Sequence, residues 1–239
     1  MLFSSASISN KGDRANNEDA ILCTQLGKYG CYAAADGLGG HEKGEVASSL
    51  ACLGVKNAFE KRPGTSGTDL LSYLNQAQKL VLNKQNEDKA LSPMRTTLAV
   101  LVTDYDKAAF AHIGDSRIYQ FRSNKIIFRT RDHSVSQSLA NGGLIEEKEI
   151  RFHEDRNKLL RVIGEKDDFR PSIREKETVK GDRFLICTDG FWELVLEEQM
   201  EKTLKNSSSP EQWLINMEEI IKSSSRSNKD NYSAIALFL

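Results

Sequence analysis

Five short segments spread along the chain each set an acidic residue beside Gly, Asn or Ser at the edge of an apolar run: Asn17-Glu18-Asp19, Asp36-Gly37-Leu38-Gly39-Gly40, Gly114-Asp115-Ser116-Arg117, Thr188-Asp189-Gly190 and Asp230-Asn231. Unpaired carboxylates are costly to bury, so a fold that draws several of them to its strand ends needs cations there. An all-oxygen donor set without a His or Cys cluster selects a hard cation, Mg²⁺ or Mn²⁺, over zinc. Two such cations can hold and activate a water for attack on phosphorus, which makes an enzyme the leading reading.

The apolar runs are strand-like in length and bounded by turn residues: Ile21 to Cys23, Gly30 to Ala35, Thr97 to Thr103, Ala108 to Ile113, Arg117 to Arg122, Lys125 to Arg129, Arg183 to Thr188 and Tyr232 to Leu239. Short polar breaks at Asp104 to Lys107 and at Ser123-Asn124 predict an antiparallel meander over residues 97 to 129. Helical spacing marks Glu42 to Lys61, Thr68 to Lys89 and Glu211 to Lys222, with a short helix over Ser134 to Ala140. Strands and helices in this order predict an α+β fold, a four-layer α/β/β/α sandwich of two antiparallel sheets flanked by helices.

At 239 residues and 39% apolar content the chain supports one domain, expected to span residues 1–239. Thirty-three basic and thirty-four acidic residues are evenly spread, with no basic block to bind a phosphate backbone, so nucleic acid is not an expected partner. The N-terminus does not read as a signal peptide, and no stretch is long enough to cross a bilayer. Cys23, Cys31, Cys52 and Cys187 lack C-x-x-C spacing, and three sit in apolar runs as buried thiols do. A cytoplasmic, membrane-free monomer is expected.

The ordered set Arg14-x-x-x-Glu18-Asp19-Ala20, Asp36-Gly37-x-Gly39-Gly40-His41, Thr96-Thr97, Gly114-Asp115-Ser116-Arg117, Asp132-His133-Ser134, Asp189-Gly190 and Asp230-Asn231 resembles the protein phosphatase 2C family of metal-dependent Ser/Thr phosphatases. Gly39-Gly40-His41-x-x-Gly44-Glu45, Arg131 to Ser134 and Arg156-Asn157 give the resemblance a bacterial cast. It implies that Asp36 bridges two Mn²⁺ or Mg²⁺ ions, with the Gly37 carbonyl on one and Asp189 and Asp230 on the other. Glu18 and Asp19 would act through waters, Arg14 would grip the phosphoryl oxygens, and a water held between the ions would be the nucleophile. Asp115 would join Asp189 at a third, weaker cation. The implied partners are phosphoserine and phosphothreonine proteins and a cognate Ser/Thr kinase.

Three departures from the family pattern are visible. Leu38 stands where animal members carry the histidine proposed as general acid. Arg95 replaces the small residue before Thr96-Thr97 and is expected on the surface, and Glu193 replaces an aspartate. His41 is expected to cap the following helix, while His112, His133 and His153 stay outside the catalytic set, and Phe191 and Trp192 read as packing residues. Two other readings stand beside the enzyme: a catalytically inactive pseudophosphatase that binds phosphoproteins, and a phosphatase of small phosphometabolites.

Overall fold

The computed structural model describes residues 3–38 and 43–239. Gly39, Gly40 and His41, and with them the expected helix-capping role of His41, lie outside the described residues. In chain order the elements are β1 (Ser4–Asn10), β2 (Asp19–Leu26), β3 (Tyr29–Leu38), α1 (Gly44–Lys61), α2 (Gly67–Glu87), β4 (Arg95–Thr96), β5 (Leu98–Thr103), β6 (Lys107–Ile113), β7 (Arg117–Arg122), β8 (Lys125–Arg129), α3 (Val135–Asn141), β9 (Ser172–Glu177), β10 (Arg183–Cys187), α4 (Asp189–Trp192), α5 (Glu197–Lys205), α6 (Pro210–Ser223) and β11 (Tyr232–Phe238).

One antiparallel sheet runs β1-β11-β10-β7-β8 and the other β2-β3-β5-β6-β9, with β4 beside β3. Alternation along β3 shows why two layers form. Tyr32 and Ala34 point into the inter-sheet core with Leu101, Phe110, Ile118, Phe184, Ile186 and Ile235. Cys31, Ala33 and Ala35 face the other way, against Val55, Phe59, Leu74 and Val81 of α1 and α2. On the opposite outer face Tyr119, Phe121 and Leu185 pack under Trp213, Leu214, Met217 and Ile221 of α6. The expected four-layer α/β/β/α sandwich is therefore the observed architecture. Helix starts follow local chemistry: Ser66 and Asp69 form a reciprocal capping box for α2, and Ser209 caps α6 ahead of Pro210.

The expected single meander over 97 to 129 is corrected. β5 pairs with β6 and β7 with β8, but β6 and β7 belong to different sheets. The crossing is made at Gly114, whose φ of +97° is left-handed and whose missing Cβ would lie 2.7 Å from the Thr97 side chain. Because the chain changes sheets there, Asp115 lies where the two sheets meet. Among the described residues no helix is long and apolar enough to cross a membrane. Cys31, Cys52 and Cys187 are buried and Cys23 is exposed.

Candidate active site

Strand register brings the acidic residues to one end of the sandwich. Asp19 and Asp36 are directly paired across β2 and β3. Asp189 follows β10 and opens α4, Asp230 precedes β11, and β10 and β11 are neighbours. Asp115 precedes β7, which flanks β10 on its other side. A cavity of about 750 Å³ is lined by Arg14, Glu18, Asp36, Gly37, Asp115, Asp189 and Asp230. Asp19 stands beside it, opposite Asp36. Leu38, Asn157 and Leu159 add to the wall.

Burial and mutual repulsion make Glu18, Asp19, Asp36, Asp115 and Asp189 resist ionisation. Burial first, then the charges of Asp189, Asp19, Asp115 and Asp230, push the Asp36 carboxyl well above its usual range. Burial and the Asp115 and Glu193 charges do the same to Asp189. Burial raises Asp19 to about 7 against hydrogen bonds that favour its charged form, and it raises Asp115 to about 7 with help from Asp132. Glu18 is raised by burial, Glu45 and Asp230, and lowered by Arg14. Asp19 Oδ1 and Asp115 Oδ1 are buried with no hydrogen-bond partner. Repelling carboxylates with orphaned oxygens are what a hard-cation site looks like before the cation is added. Among the described residues no three His, Cys, Asp or Glu side chains are yet drawn into a coordination cage. Asp230 Oδ2 is instead paired with Arg14 Nη2 at 2.8 Å.

These groups are fixed by neighbours that carry little charge. The Asp36 backbone is held on both sides by Thr97 and Thr96: Asp36 N donates to Thr97 Oγ1 at 2.9 Å, and its carbonyl accepts Thr97 N at 2.9 Å and Thr96 Oγ1 at 2.8 Å. Thr188 Oγ1 donates to Asp19 Oδ2 at 2.8 Å. Trp192 Nε1 donates to the Asp115 carbonyl at 3.0 Å, so the expected packing role of Trp192 includes holding that turn. Asn231 ties the Asp230 loop to the Arg14 loop: Nδ2 donates to the carbonyls of Lys11 and Asn16, each at 2.9 Å, while Oδ1 accepts Glu18 N at 2.8 Å.

Gly37 is held against α1. A Cβ there would sit 2.2 Å from the Gly44 carbonyl oxygen and 2.6 Å from that of Glu18. Gly37→Ala is therefore expected to cost about 1–3 kcal/mol and to weaken cation binding, because the backbone must shift beside Asp36. Thermal unfolding with and without Mn²⁺ checks both; an unchanged melting temperature would show that the contact relaxes freely.

The same charges set a pH response of metal-free protein. Asp19 and Asp115 carry pKa values raised from 3.8 to about 7, so between those limits the folded state holds protons that the unfolded chain releases. Stability in EDTA must then fall as pH rises through that window, by up to about 1.4 kcal/mol per unit for each independent group. Melting curves in EDTA at pH 5 and 7.5 test this, and saturating Mn²⁺ should remove much of the difference. A metal-free protein that gains stability over the same interval would contradict the carboxylate clustering.

Several sequence expectations change. Arg95 is not simply a surface residue: it is half-buried on β4, donates through Nη1 to the carbonyls of Ser92 at 2.7 Å and Met94 at 2.9 Å, and pairs with Glu165 at 3.2 Å. Glu193 is not turned to a cation, since Arg156 takes Oε1 and Arg226 takes Oε2, both at 2.7 Å. Arg226 was not legible as a site-building residue, because it acts through a partner distant in sequence. His112 and His133 stack at 4.6 Å and bond to Arg131 O and Ser172 Oγ, in keeping with structural roles. Among the described residues no histidine lines the cavity, which leaves the position after Gly37 to Leu38.

The family profile described as Protein phosphatase 2C matches residues 9–228. The chain is 31% identical over 196 residues to the serine/threonine protein phosphatase PstP of Mycobacterium tuberculosis, covering 80% of this chain and 37% of that protein. It thus spans little more than a third of that relative's length. The crystal structure of the M. tuberculosis phosphatase PstP/Ppp superposes with a TM-score of 0.88 at 27% identity, covering 100% of this chain and 99% of that one. The catalytic domain of PstP in complex with two manganese ions gives 0.83 at 27% identity, covering 99% and 97%. With the profile matching nearly its whole length and the sandwich shared, the chain belongs to the protein phosphatase 2C family.

Proposed function

We propose that residues 1–239 form one catalytic domain, a metal-dependent phosphatase of phosphoserine and phosphothreonine proteins. The observation that carries this is the meeting of Asp36, Asp115, Asp189 and Asp230 on one cavity, where burial and neighbouring carboxylates push Asp36, Asp115 and Asp189 above their usual range. The manganese-bound relative supports assigning them to cations. Asp36, the Gly37 carbonyl, Asp189 and Asp230 would hold Mn²⁺ or Mg²⁺ ions, two in number, with Glu18 and Asp19 supporting them and Asp115 offering a third position. When bound, the cations would neutralise the carboxylates and make a water nucleophilic at neutral pH.

The remaining work belongs to the protein's side chains. Arg14 is half-exposed at the cavity rim, and its pairing with Asp230 is open to solvent. Its planar fork at the rim suits two phosphoryl oxygens side by side. Thr96, Thr97, Thr188 and Asn231 hold Asp36, Asp19 and the Asp230 loop in place through hydrogen bonds. Attack by water forms one P–O bond and breaks the ester P–O bond, and the departing alkoxide is protonated as it leaves. The phosphoryl group is placed by a kinase, so the partner implied is a Ser/Thr kinase acting on the same proteins.

A pseudophosphatase that binds phosphoproteins without turnover draws on one observation, the absence of a preformed cage among the described residues. Hydrolysis of a phosphothreonine peptide, p-nitrophenyl phosphate and a sugar phosphate, each with Mn²⁺, Mg²⁺ or EDTA, decides among the readings. Metal-dependent turnover favouring the peptide supports the proposal. Preference for the sugar phosphate would move it to small metabolites, and inactive folded protein that still binds phosphopeptide would make it a binding module.

A further inference from the structure

Beside the main cavity, and sharing Arg14, Asn157, Asp189 and Asp230 with it, is a smaller one of about 120 Å³. Its distinguishing residues are Arg156, Glu193, Arg226 and Lys229. The Glu193 side chain is only 7% exposed and meets Arg156 Nε through one oxygen and Arg226 Nη1 through the other, both at 2.7 Å. One carboxylate thus serves two guanidiniums. Lys229 adds a third cation, whose ammonium has no ion pair among the described residues.

Among the described residues the two arginines keep spare donors. A guanidinium carries five N–H donors. Arg156 uses Nε on Glu193 and one long contact of 3.4 Å from Nη1 to the His153 carbonyl, and the described side-chain contact of Arg226 is its pairing through Nη1. Both line the cavity while Glu193 fixes them from behind, so positive charge and free donors stand preorganised next to the phosphoryl site.

Resting on the proposed phosphatase activity, we propose that this side cavity is a specificity subsite for a second anionic group of the substrate, carried near the phosphorylated residue. Arg226 and Arg156 hold that group and Glu193 positions them. A carboxylate side chain and a second phosphate share the required chemistry.

The test uses the full chain with Mn²⁺ and phosphothreonine peptides of equal length: one with neutral flanks, a set with glutamate at each flanking position in turn, and a matching set with a second phosphothreonine. In the wild type kcat/KM for the best anionic peptide should exceed the neutral one by about tenfold, as a charge-assisted contact supplies. That ratio should shrink between low and high salt. The two sets tell carboxylate from phosphate. Arg226→Gln should bring the ratio to about one and Arg226→Glu should take it below one. A merely structural role for Arg226 would lower all peptides in parallel and leave the ratio intact, which would overturn the subsite. So would a wild-type ratio near one with p-nitrophenyl phosphate still hydrolysed, a result reachable even if the variants fail to fold. Loss of p-nitrophenyl phosphate turnover in wild type under every metal condition would instead bring down the phosphatase reading beneath it.

Discussion

Asp36→Asn is expected to lower metal-dependent phosphoester hydrolysis by at least about 10²–10³-fold, the scale of losing one preorganised electrostatic group. The same variant should be more stable than wild type in EDTA. Asp36 is pushed well above its usual range by burial and by Asp189, Asp19, Asp115 and Asp230, so a neutral isostere removes repulsion at neutral pH. Its stabilisation by Mn²⁺ should shrink; a ligand at 100 times its Kd supplies about 2.7 kcal/mol, most of which would disappear. Opposite signs in the two readouts separate loss of a cation site from general damage. A variant destabilised equally with and without Mn²⁺ would show that Asp36 is structural.

The second large effect lies outside the cavity. Arg117 and Asp132 form a bidentate pair at 2.9 and 2.7 Å with both side chains 1% exposed. The guanidinium carbon lies 3.4 Å from the Trp192 ring centroid, and Trp192 in turn donates to the Asp115 carbonyl. Asp132→Ala leaves Arg117 buried with Tyr119 Oη at 3.2 Å and Glu197 at 3.5 Å, an incomplete replacement. The expected cost is about 3–5 kcal/mol, read by chemical denaturation. Replacing both partners by apolar residues of similar size, Arg117→Met with Asp132→Leu, should cost less than the single change. If the double variant is the less stable, the pair contributes more than its desolvation cost, and the account of it here is wrong.

What could be read from the sequence tracks how each residue is used. β3, β5, β10 and β11 are legible because both faces are buried, which makes their runs continuously apolar. β1 (Ser-Ser-Ala-Ser-Ile-Ser-Asn) and β9 (Ser-Ile-Arg-Glu-Lys-Glu) escaped because edge strands are kept polar and charged, and α5 buries only Met200 and Leu204. The crossing at Gly114 was hidden by its turn chemistry, which suits a hairpin as well as a change of sheet. The carboxylates at the cavity could be named from their place beside apolar runs, and their all-oxygen chemistry pointed to hard cations, whereas the ligand role of each one came from the family resemblance. Arg156, Glu193 and Arg226 are joined by folding alone, and nothing in local spacing marks such a trio.

The most direct measurement is a Mn²⁺ titration of EDTA-stripped protein, with binding followed by calorimetry and p-nitrophenyl phosphate turnover read at each point, beside Asp36→Asn. At least two ions should bind per chain, turnover should rise with their occupancy, and both should be lost in the variant. Turnover that persists without metal, or folded protein that binds no Mn²⁺, would contradict a metal centre built on Asp36, Asp189 and Asp230.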